Sequence, residues 1–192
     1  MIKVNVYRLR DDLELPTYGT SLANCFDLSF QPTNEEKIVK GYNKYNEPIV
    51  RHISTETSDG QEGVNIEPGD RLLIPTGLIF KIEQLITIEK FVDIMIQPNP
   101  LQNYSIRLHP RSGLSLKRGL VLANSEGIVD VDYQEEVFVL LTNISEVAQT
   151  IKRGDRIAQA EVVCNQAVSF VVVAKQPEKH SERAGGFGST GV

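Results

Sequence analysis

The sequence predicts an all-β sandwich or barrel, and three observations support this fold class. Short apolar runs rich in Val, Ile, Leu and Phe recur along the chain, and each has the length of a strand. Turn signals such as Pro68-Gly69, Pro98-Asn99-Pro100 and Gly154-Asp155 separate these runs. Convincing helical periodicity is scarce, and many strands with few helices indicate a sandwich or barrel. The predicted strands are Ile2–Tyr7, Leu72–Ile74, Val92–Ile96, Gly119–Ala123, Val137–Leu141, Ala160–Val163 and Phe170–Ala174.

Two segments are candidates for helical structure. Lys81–Lys90 places apolar residues at helical spacing but reads equally well as a strand. Ser112–Lys117 is predicted to form one short helix, with Ser112 as its N-cap. Elsewhere, Gly69-Asp70-Arg71 and Gly154-Asp155-Arg156 both have the pattern of a turn that leads into a strand.

Length and composition predict one domain with two appendages. The chain has 192 residues, which suits a single core. We assign residues 1–175 to the domain. Within it, the polar stretch 33–63 is predicted to be a surface insertion in the form of a long hairpin. Residues 176–192 are predicted to be a mobile, Gly-rich C-terminal arm, although a merely solvated arm has no use for its single Phe.

Charge and cysteine content argue against several functions. The net charge is −5, whereas nucleic-acid binders usually present a basic face, so nucleic acid is not expected as a partner. No apolar run approaches the ~20 residues that cross a bilayer, and the start lacks a signal-peptide core. Cys25 and Cys164 form no metal-binding pattern and are expected to be free thiols in a reducing compartment. A cytoplasmic protein is therefore predicted, from a bacterium or a virus-infected cell.

Residues 110–115 form the first candidate site. After Pro110, Arg111 offers a two-pronged donor, Ser112 a hydroxyl and Gly113 an unobstructed backbone N–H. Together these groups suit a phosphate or diphosphate. Taken alone, the segment is as well explained by an ordinary turn.

Residues 124–133 form the second candidate site, between two apolar strands that suggest a hairpin. Asn124 can both donate to and accept from a ligand edge, and Gly127 permits an unusual φ. Asp130 and Asp132 flank one Val and would share a face of an extended strand, where one could act as a general base on water. Tyr133 offers a flat wall for a ring or sugar. A charged hairpin loop is the plain alternative.

Two further segments complete the pattern. In Gly154–Gln159, the polar Gln159 interrupts an apolar strand, and a buried amide needs partners. Gly185–Gly191 resembles a phosphate-binding loop but lacks the Lys of a P-loop, so a P-loop NTPase is excluded. A Gly-rich arm with one aromatic residue, Phe187, suits a lid that closes over a ligand.

In their order along the chain, these segments resemble the five motifs of the homotrimeric dUTPases. The matching segments are Cys25–Leu28, Pro110–Ser115, Asn124–Tyr133, Gly154–Gln159 and Arg183–Gly191. The resemblance implies a jelly-roll-like β-barrel or sandwich that forms a homotrimer with active sites between subunits. It also implies Mg²⁺-assisted hydrolysis of dUTP to dUMP and pyrophosphate, which limits uracil in DNA and supplies dUMP for dTMP synthesis.

The resemblance also implies a role for each site residue. Asp130 would activate a water that attacks the α-phosphorus, and Asp27 would contact Mg²⁺ through water. Phosphate oxygens would be held by Arg111, Ser112, Gly113 and Gln159. The uracil edge would be read by Asn124, Gly127, Ile128 and Val129, with Tyr133 against the deoxyribose. From the arm, the contacts would come from Arg183, Phe187, Gly188, Ser189 and Thr190, with Phe187 stacked on the uracil.

Several alternatives remain open at this stage. The related dCTP deaminases use a Glu where an ungapped alignment on Asp130 places Leu140, and leucine cannot carry protons, so deamination is disfavoured. A non-catalytic binding protein on the same scaffold is a second alternative. The 33–63 insertion could be ballast, a trimer contact or a surface for an unknown partner. The arm could close over its own subunit's site or a neighbour's, and the resemblance favours the neighbour's.

Overall fold

The structure is a computed structural model that describes residues 2–33, 35–55, 60–84 and 103–178. Strands account for nearly all of its regular elements, and one short helix, α1, spans Ser112–Arg118. The strands of the first half are β1 (Ile2–Arg8), β2 (Thr17–Tyr18), β3 (Phe26–Ser29), β4 (Ile38–Tyr42), β5 (Pro48–His52), β6 (Gly63–Ile66), β7 (Arg71–Pro75) and β8 (Leu78–Gln84). Those of the second half are β9 (Tyr104–His109), β10 (Leu120–Leu122), β11 (Gly127–Asp130), β12 (Phe138–Asn143), β13 (Gln149–Lys152) and β14 (Arg156–Cys164).

Two five-stranded antiparallel sheets form the sandwich. The first has the strand order β10-β12-β7-β4-β5, and the second has the order β11-β9-β14-β3-β2. Two smaller pairs, β1-β8 and β13-β6, complete the described strands. The all-β prediction is therefore confirmed.

A single apolar core lies between the two five-stranded sheets. Along β7 and β12, alternate residues such as Leu72, Ile74 and Val139 are almost fully buried, as the two-residue period of a strand requires. Leu108 and Ala160 of the second sheet belong to the same core cluster. Burying a side chain of the size of Leu or Ile contributes roughly 1.5–3 kcal/mol, so this core supplies the main stabilisation.

The predicted insertion contains a hairpin that is built into the sandwich. Strands β4 and β5 pair with each other, and β4 also pairs with β7, so the hairpin extends the first sheet by two strands. A Cβ on Gly41 would lie 2.0 Å from the carbonyl oxygen of Arg71, so only glycine permits this close approach of strands. Val39 and Ile53 of the same stretch are buried in the core. The hairpin prediction is confirmed, but this part of the insertion belongs to the folding unit.

Several local predictions were wrong or fall outside the described residues. Phe170–Ala174 forms no strand, its side chains are exposed, and none of the described strands pairs with it. Lys81–Lys90 begins as strand β8 up to Gln84, and its remainder, together with Val92–Ile96, lies outside the described residues. Gly69 and Gly154 both have positive φ and each introduces a strand, as their shared turn pattern predicts.

The N-cap of helix α1 lies one residue before the predicted cap. Arg111 is the N-cap residue, with extended φ and ψ of −92° and 124°, and no side chain caps the helix. Ser112 is therefore the first helical residue, and the prediction that it is the cap was wrong. At the other end, Gly119 adopts φ 61° and ends the helix. The described helical residues include no segment with the length and hydropathy of a membrane span.

An ion pair between Arg51 and Asp70 should hold the β4–β5 hairpin in place. Two guanidinium nitrogens of Arg51 donate to the same Asp70 oxygen at 2.6 and 2.9 Å, and Asp70 is 2% exposed. Arg51→Ala leaves a buried carboxylate without this partner and is expected to lower the free energy of unfolding by about 2–3 kcal/mol. Lys81→Ala, which removes an exposed ion pair with Glu83, should cost less than about 0.5 kcal/mol. Urea unfolding of the two variants makes the comparison, and equal losses would contradict it.

Candidate active site

The first group of candidate residues meets in a polar cavity of about 550 Å³. Asp27 comes from β3 and Gln159 from β14, and these residues are direct cross-strand partners. Arg111, Ser112 and Gly113 come from the start of α1 and line the same cavity. Nothing lies within 4 Å of where a Cβ on Gly113 would project, so its backbone is open to a ligand. The structure thus brings the residues of three separate sequence segments together.

Asp27 is the electrostatic centre of this cavity. Its Oδ1 accepts from Nε of Arg111 and its Oδ2 from a guanidinium nitrogen of Arg156, each at 2.9 Å. Arg111 also donates to the backbone carbonyl of Arg156 at 3.1 Å. Gln159 donates to the carbonyl of Pro110 at 3.0 Å, which satisfies its amide and ties β14 to the start of the helix. The carboxylate therefore holds two arginine side chains at the cavity.

Sequence reasoning missed three cations of this cavity. Arg156, Lys117 and Arg118 line it together with Arg111. Arg156 reaches the cavity through its ion pair with Asp27 across the sheet. Lys117 and Arg118 lie in the last turn of α1, and this end of the helix borders the cavity. Two basic residues at the end of the predicted helix were therefore the sequence signal that could have identified them. The cluster carries more positive than negative charge, which suits a polyphosphate.

The side chains of this cavity offer few direct ligands for a magnesium ion. Among the described residues, no cluster of three or more His, Cys, Asp or Glu side chains is present. Asp27 is the one carboxylate that lines the cavity, and both of its oxygens already accept from arginines. Mg²⁺ in nucleotide sites is commonly held by one or two carboxylates, waters and the substrate phosphates. The cavity therefore fits a magnesium ion only where a bound polyphosphate supplies most of its ligands.

The second candidate segment, 124–133, does not form the simple hairpin that its two flanking strands predicted. Strands β10 and β12 do pair, but between them the chain crosses to the other sheet, where β11 pairs with β9. Gly127 lacks a positive φ, and the residue with that conformation is Ser125, at φ 61°. Gly127 is needed because a Cβ there would lie 3.0 Å from the side chain of Leu108. The predicted unusual φ of Gly127 was therefore wrong.

This segment borders a second, narrower cavity of about 360 Å³. Asn124, Gly127, Ile128, Val129 and Tyr133 all line it, as the sequence analysis grouped them. The opposite wall is apolar and is built by the outer side chains of the first sheet, namely Leu73, Phe138 and Leu140. A slot with one apolar wall and one wall of backbone and amide groups suits a flat heterocycle.

Glu136 holds the Tyr133 side chain in position. The Tyr133 hydroxyl donates to the Glu136 carbonyl at 2.9 Å. The Glu136 carboxylate accepts from the Gly77 N–H at 2.7 Å and lies 3.5 Å from the Thr33 hydroxyl. Burial raises the pKa of the Glu136 carboxyl, with these two hydrogen bonds opposing the shift. Burial, followed by the charges of Glu135 and Glu136, also raises the pKa of Tyr133, which keeps its hydroxyl protonated as a donor.

Asp130 and Asp132 do not share a strand face. Asp130 is the last residue of β11, and a turn follows in which the Tyr133 N–H donates to the Asp130 carbonyl at 3.1 Å. Asp132 lies within that turn, so the extended geometry behind the expectation is absent. Both side chains are exposed, and Asp130 lines neither cavity.

Within one chain, the two groups of candidate residues lie apart. Asp130 is opposite Ser105, which is opposite Val163, and Val163 lies four residues along β14 from Gln159. Two strand spacings and four residues of rise place the Cα atoms of Asp130 and Gln159 roughly 16 Å apart. The two cavities have no lining residue in common.

The two groups of candidate residues are separated by charged side chains, which come from β9, β14 and the 124–126 turn. Arg107 pairs with Glu126 at 2.8 Å, and His109 contacts Glu161 at 3.1 Å. Because β11 pairs with β9 and β9 with β14, this network lies on the path from Asp130 to Gln159. A single chain therefore presents two half-sites with an ionic partition between them.

The remaining candidates lie outside this geometry. The arm residues Arg183, Phe187, Gly188, Ser189 and Thr190 are outside the described residues. Both cysteines are free, and burial, with Glu161 and Asp27 as further causes, raises the pKa of the Cys25 thiol. Cys25 lines the first cavity but is protonated at neutral pH, so it is no nucleophile there.

The two packed five-stranded antiparallel sheets define the class of the protein as a jelly-roll-like β-sandwich. A sequence model of the dUTPase family matches residues 69–191, which is more than half of the chain. The chain therefore belongs to the dUTPase family, and it is a hydrolase of nucleotide metabolism.

Individual relatives and solved structures agree with this assignment. A deoxyuridine 5'-triphosphate nucleotidohydrolase of Hydrogenobaculum sp. is 31% identical over 191 residues, covering 100% of this chain and 99% of the relative. One of Rhizobium etli is 39% identical over 136 residues, covering 70% and 74%. A dUTPase of Staphylococcus bacteriophage 80alpha with dUpNHpp shares the fold, with a TM-score of 0.65 at 17% identity and 99% coverage of both chains. The deaminase alternative is thereby set aside, and Leu140 stands in the apolar wall of the slot.

The buried carboxyl of Glu136 should make stability depend on pH. Because its pKa is raised in the folded state above the value of 4.5 for a free Glu, its contribution is present below that value and is lost as pH rises through the folded pKa. Between about pH 4 and pH 7, the wild type should therefore lose more stability than Glu136→Gln, in which the amide oxygen can still accept from Gly77. Urea unfolding at both pH values measures the difference. Glu135→Gln removes the same charge at an exposed neighbour, and an identical pH profile for both variants would refute the assignment.

Proposed function

We propose that the chain hydrolyses dUTP to dUMP and pyrophosphate at sites shared between the subunits of a homotrimer. The observation that carries the shared site is the separation of the two half-sites within one chain. One half is cationic and polar, and the other is a narrow slot with an apolar wall. A nucleoside triphosphate has an anionic end that matches the cationic half-site and a flat base that matches the slot. A second copy of the chain is therefore needed to bring both half-sites onto one substrate molecule.

The cationic half-site would hold the triphosphate. Arg111, Ser112 and the backbone of Gly113 donate to phosphate oxygens, while Gln159 faces the same phosphates from β14. Asp27 keeps Arg111 in place through its 2.9 Å ion pair, so the donors are oriented before substrate arrives. Arg156, Lys117 and Arg118 add positive charge along the cavity wall.

The slot would select the base and the sugar. Asn124 and the backbone of Gly127, Ile128 and Val129 read the uracil edge, where an amino group in place of the carbonyl would leave polar groups unpaired. The slot is small, at about 360 Å³, which leaves little room for a 5-methyl group. Tyr133, fastened by its hydrogen bond to Glu136, packs on the deoxyribose and excludes a 2′-hydroxyl.

The chemical step would be attack of water on the α-phosphorus. Asp130 accepts a proton from the water, whose oxygen forms the new bond to phosphorus. The bond between the α-phosphorus and the bridging oxygen breaks, and pyrophosphate leaves with the electron pair. Magnesium bound with the triphosphate, contacting Asp27 through water, would neutralise charge on the leaving group.

From the arm, Arg183, Gly188, Ser189 and Thr190 would close over the phosphates, and Phe187 would stack on the uracil. The reaction would limit uracil in DNA and supply dUMP for dTMP synthesis.

Pyrophosphate release from dUTP, dTTP, dCTP and UTP tests the assignment of substrate and metal. Release from dUTP alone is expected, because the slot rejects the 5-methyl, the 4-amino and the 2′-hydroxyl groups for separate reasons. EDTA should abolish release, and added Mg²⁺ should restore it. Comparable turnover of dCTP or dTTP would contradict the role of the slot, and no turnover of any nucleotide by a folded protein would contradict the function.

A mixing experiment tests whether two chains share one site. Asp130→Asn is expected to lower kcat by about 10²–10⁴-fold, since it removes a general base. Arg111→Ala should be similarly impaired, because it removes a phosphate donor. When the two inactive variants are unfolded together and refolded, sites that combine an intact Asp130 with an intact Arg111 should regain up to about a quarter of wild-type activity.

The control mixes two variants of the same half-site, Arg111→Ala and Gln159→Ala. No hybrid assembly of these chains can contain an intact cationic half-site, so activity should not recover. No recovery in the Asp130 and Arg111 mixture would mean that each chain holds its own complete site. Recovery in the control would mean that Arg111 and Gln159 reach one site from different chains, which contradicts a single cationic half-site.

A further inference from the structure

The first sheet carries an apolar outer surface that runs from the slot to the insertion. In the slot, Leu73 and Leu140 form part of the apolar wall. The same two side chains line a separate cavity of about 700 Å³, whose other walls come mainly from the β4–β5 hairpin. Leu73 and Leu140 are direct cross-strand partners on β7 and β12. The slot and the hairpin cavity are therefore two parts of one surface, which we call the outer face.

Exposed apolar side chains form the outer face. Tyr42 is 52% exposed, Val50 49%, Leu73 45% and Phe138 39%. Pro48 and Ile49 of the hairpin line the same cavity. Lys40 and Arg71 supply the charge there, and Arg71 is already hydrogen-bonded to the carbonyl of Asn43 at 3.3 Å and to the side chain of Asn46 at 2.5 Å. An apolar centre with a sparse polar margin is the composition of a protein interface.

The hairpin that carries half of this face is held rigidly. Arg51 is bonded to the buried Asp70, and Gly41 sits against the backbone of β7. The turn between the strands is closed by Asn43, whose side chain accepts from the N–H groups of Tyr45 and Glu47 at 2.9 and 3.0 Å. Because it is rigid, the hairpin presents Tyr42 and Val50 without an ordering cost on binding.

We propose that the outer face of the β4–β5 hairpin is a contact between copies of this chain. The inference rests on the shared site proposed above. A second copy that seats its cationic half-site beside the slot comes to lie next to Leu73 and Leu140, which also border the hairpin cavity. The occupant of this face is accordingly another copy. On this account the insertion widens the subunit contact and so stabilises the site.

A charge introduced on the outer face of the hairpin tests the contact. In Val50→Glu the new carboxylate stands opposite Lys40 on β4, so the isolated chain should tolerate it, whereas an apolar interface should not. Sedimentation velocity over a range of protein concentrations should show the dissociation midpoint raised at least about tenfold. The activity towards dUTP at low concentration should fall in parallel. Val147→Glu is the matched control, because Val147 is also an exposed valine but lies outside the outer face, and it should behave as the wild type.

Each outcome decides the proposal. If Val50→Glu sediments as the wild type does, the hairpin face is free for a different partner and the proposal is overturned, while hydrolysis of dUTP stands. If the wild type is an active monomer, both this contact and the shared site are overturned. Circular dichroism checks folding, and should Val50→Glu unfold, Tyr42→Lys at the same face takes its place with the same expected shift.

Discussion

The alignment of β3, β14 and β9 is the constraint on which the site depends. Asp27 pairs with Gln159, and Gln159 pairs with His109 on the next strand, two residues before Arg111. This register places a carboxylate, an amide and the start of helix α1 at one edge of the second sheet. A slip of one residue would turn each of these side chains to the opposite face and leave the cavity without its anchor. The bulge between Arg156 and Ala158 then lets Arg156 reach Asp27.

The same register that assembles the cationic half-site keeps Asp130 away from it. Asp130 belongs to the edge strand β11, and β9 lies between that strand and β14. Charged side chains, including Arg107 and His109, occupy the intervening surface. Because antiparallel strands have fixed spacing, no rotamer change closes a gap of roughly 16 Å. In the proposed mechanism, an isolated chain would therefore be an incomplete catalyst and assembly would complete the site.

Ionic and packing interactions are used differently in the two halves. In the cationic half, Asp27 is shared by Arg111 and Arg156, which keeps two guanidinium groups oriented without substrate. In the slot, Tyr133 is held through a hydrogen bond to the Glu136 carbonyl, and the Glu136 carboxylate is anchored to Gly77. Gly77 itself requires glycine, with φ 69° and Leu13 only 2.3 Å from where a Cβ would stand. Tyr133 is thus positioned by the turn between β7 and β8.

The sequence by itself determined the all-β class and the positions of strands β1, β7, β10, β12 and β14. These properties are local, because strand period, turn residues and motif order are written in neighbouring residues. It failed at Phe170–Ala174, which is apolar but pairs with none of the described strands, and at Ser112, where Arg111 takes the cap position. Only the tertiary structure decided that Arg156 pairs with Asp27, that β11 crosses to the other sheet, and that the half-sites stand apart. These facts depend on strand order and register, which are set by long-range packing that a linear pattern does not encode.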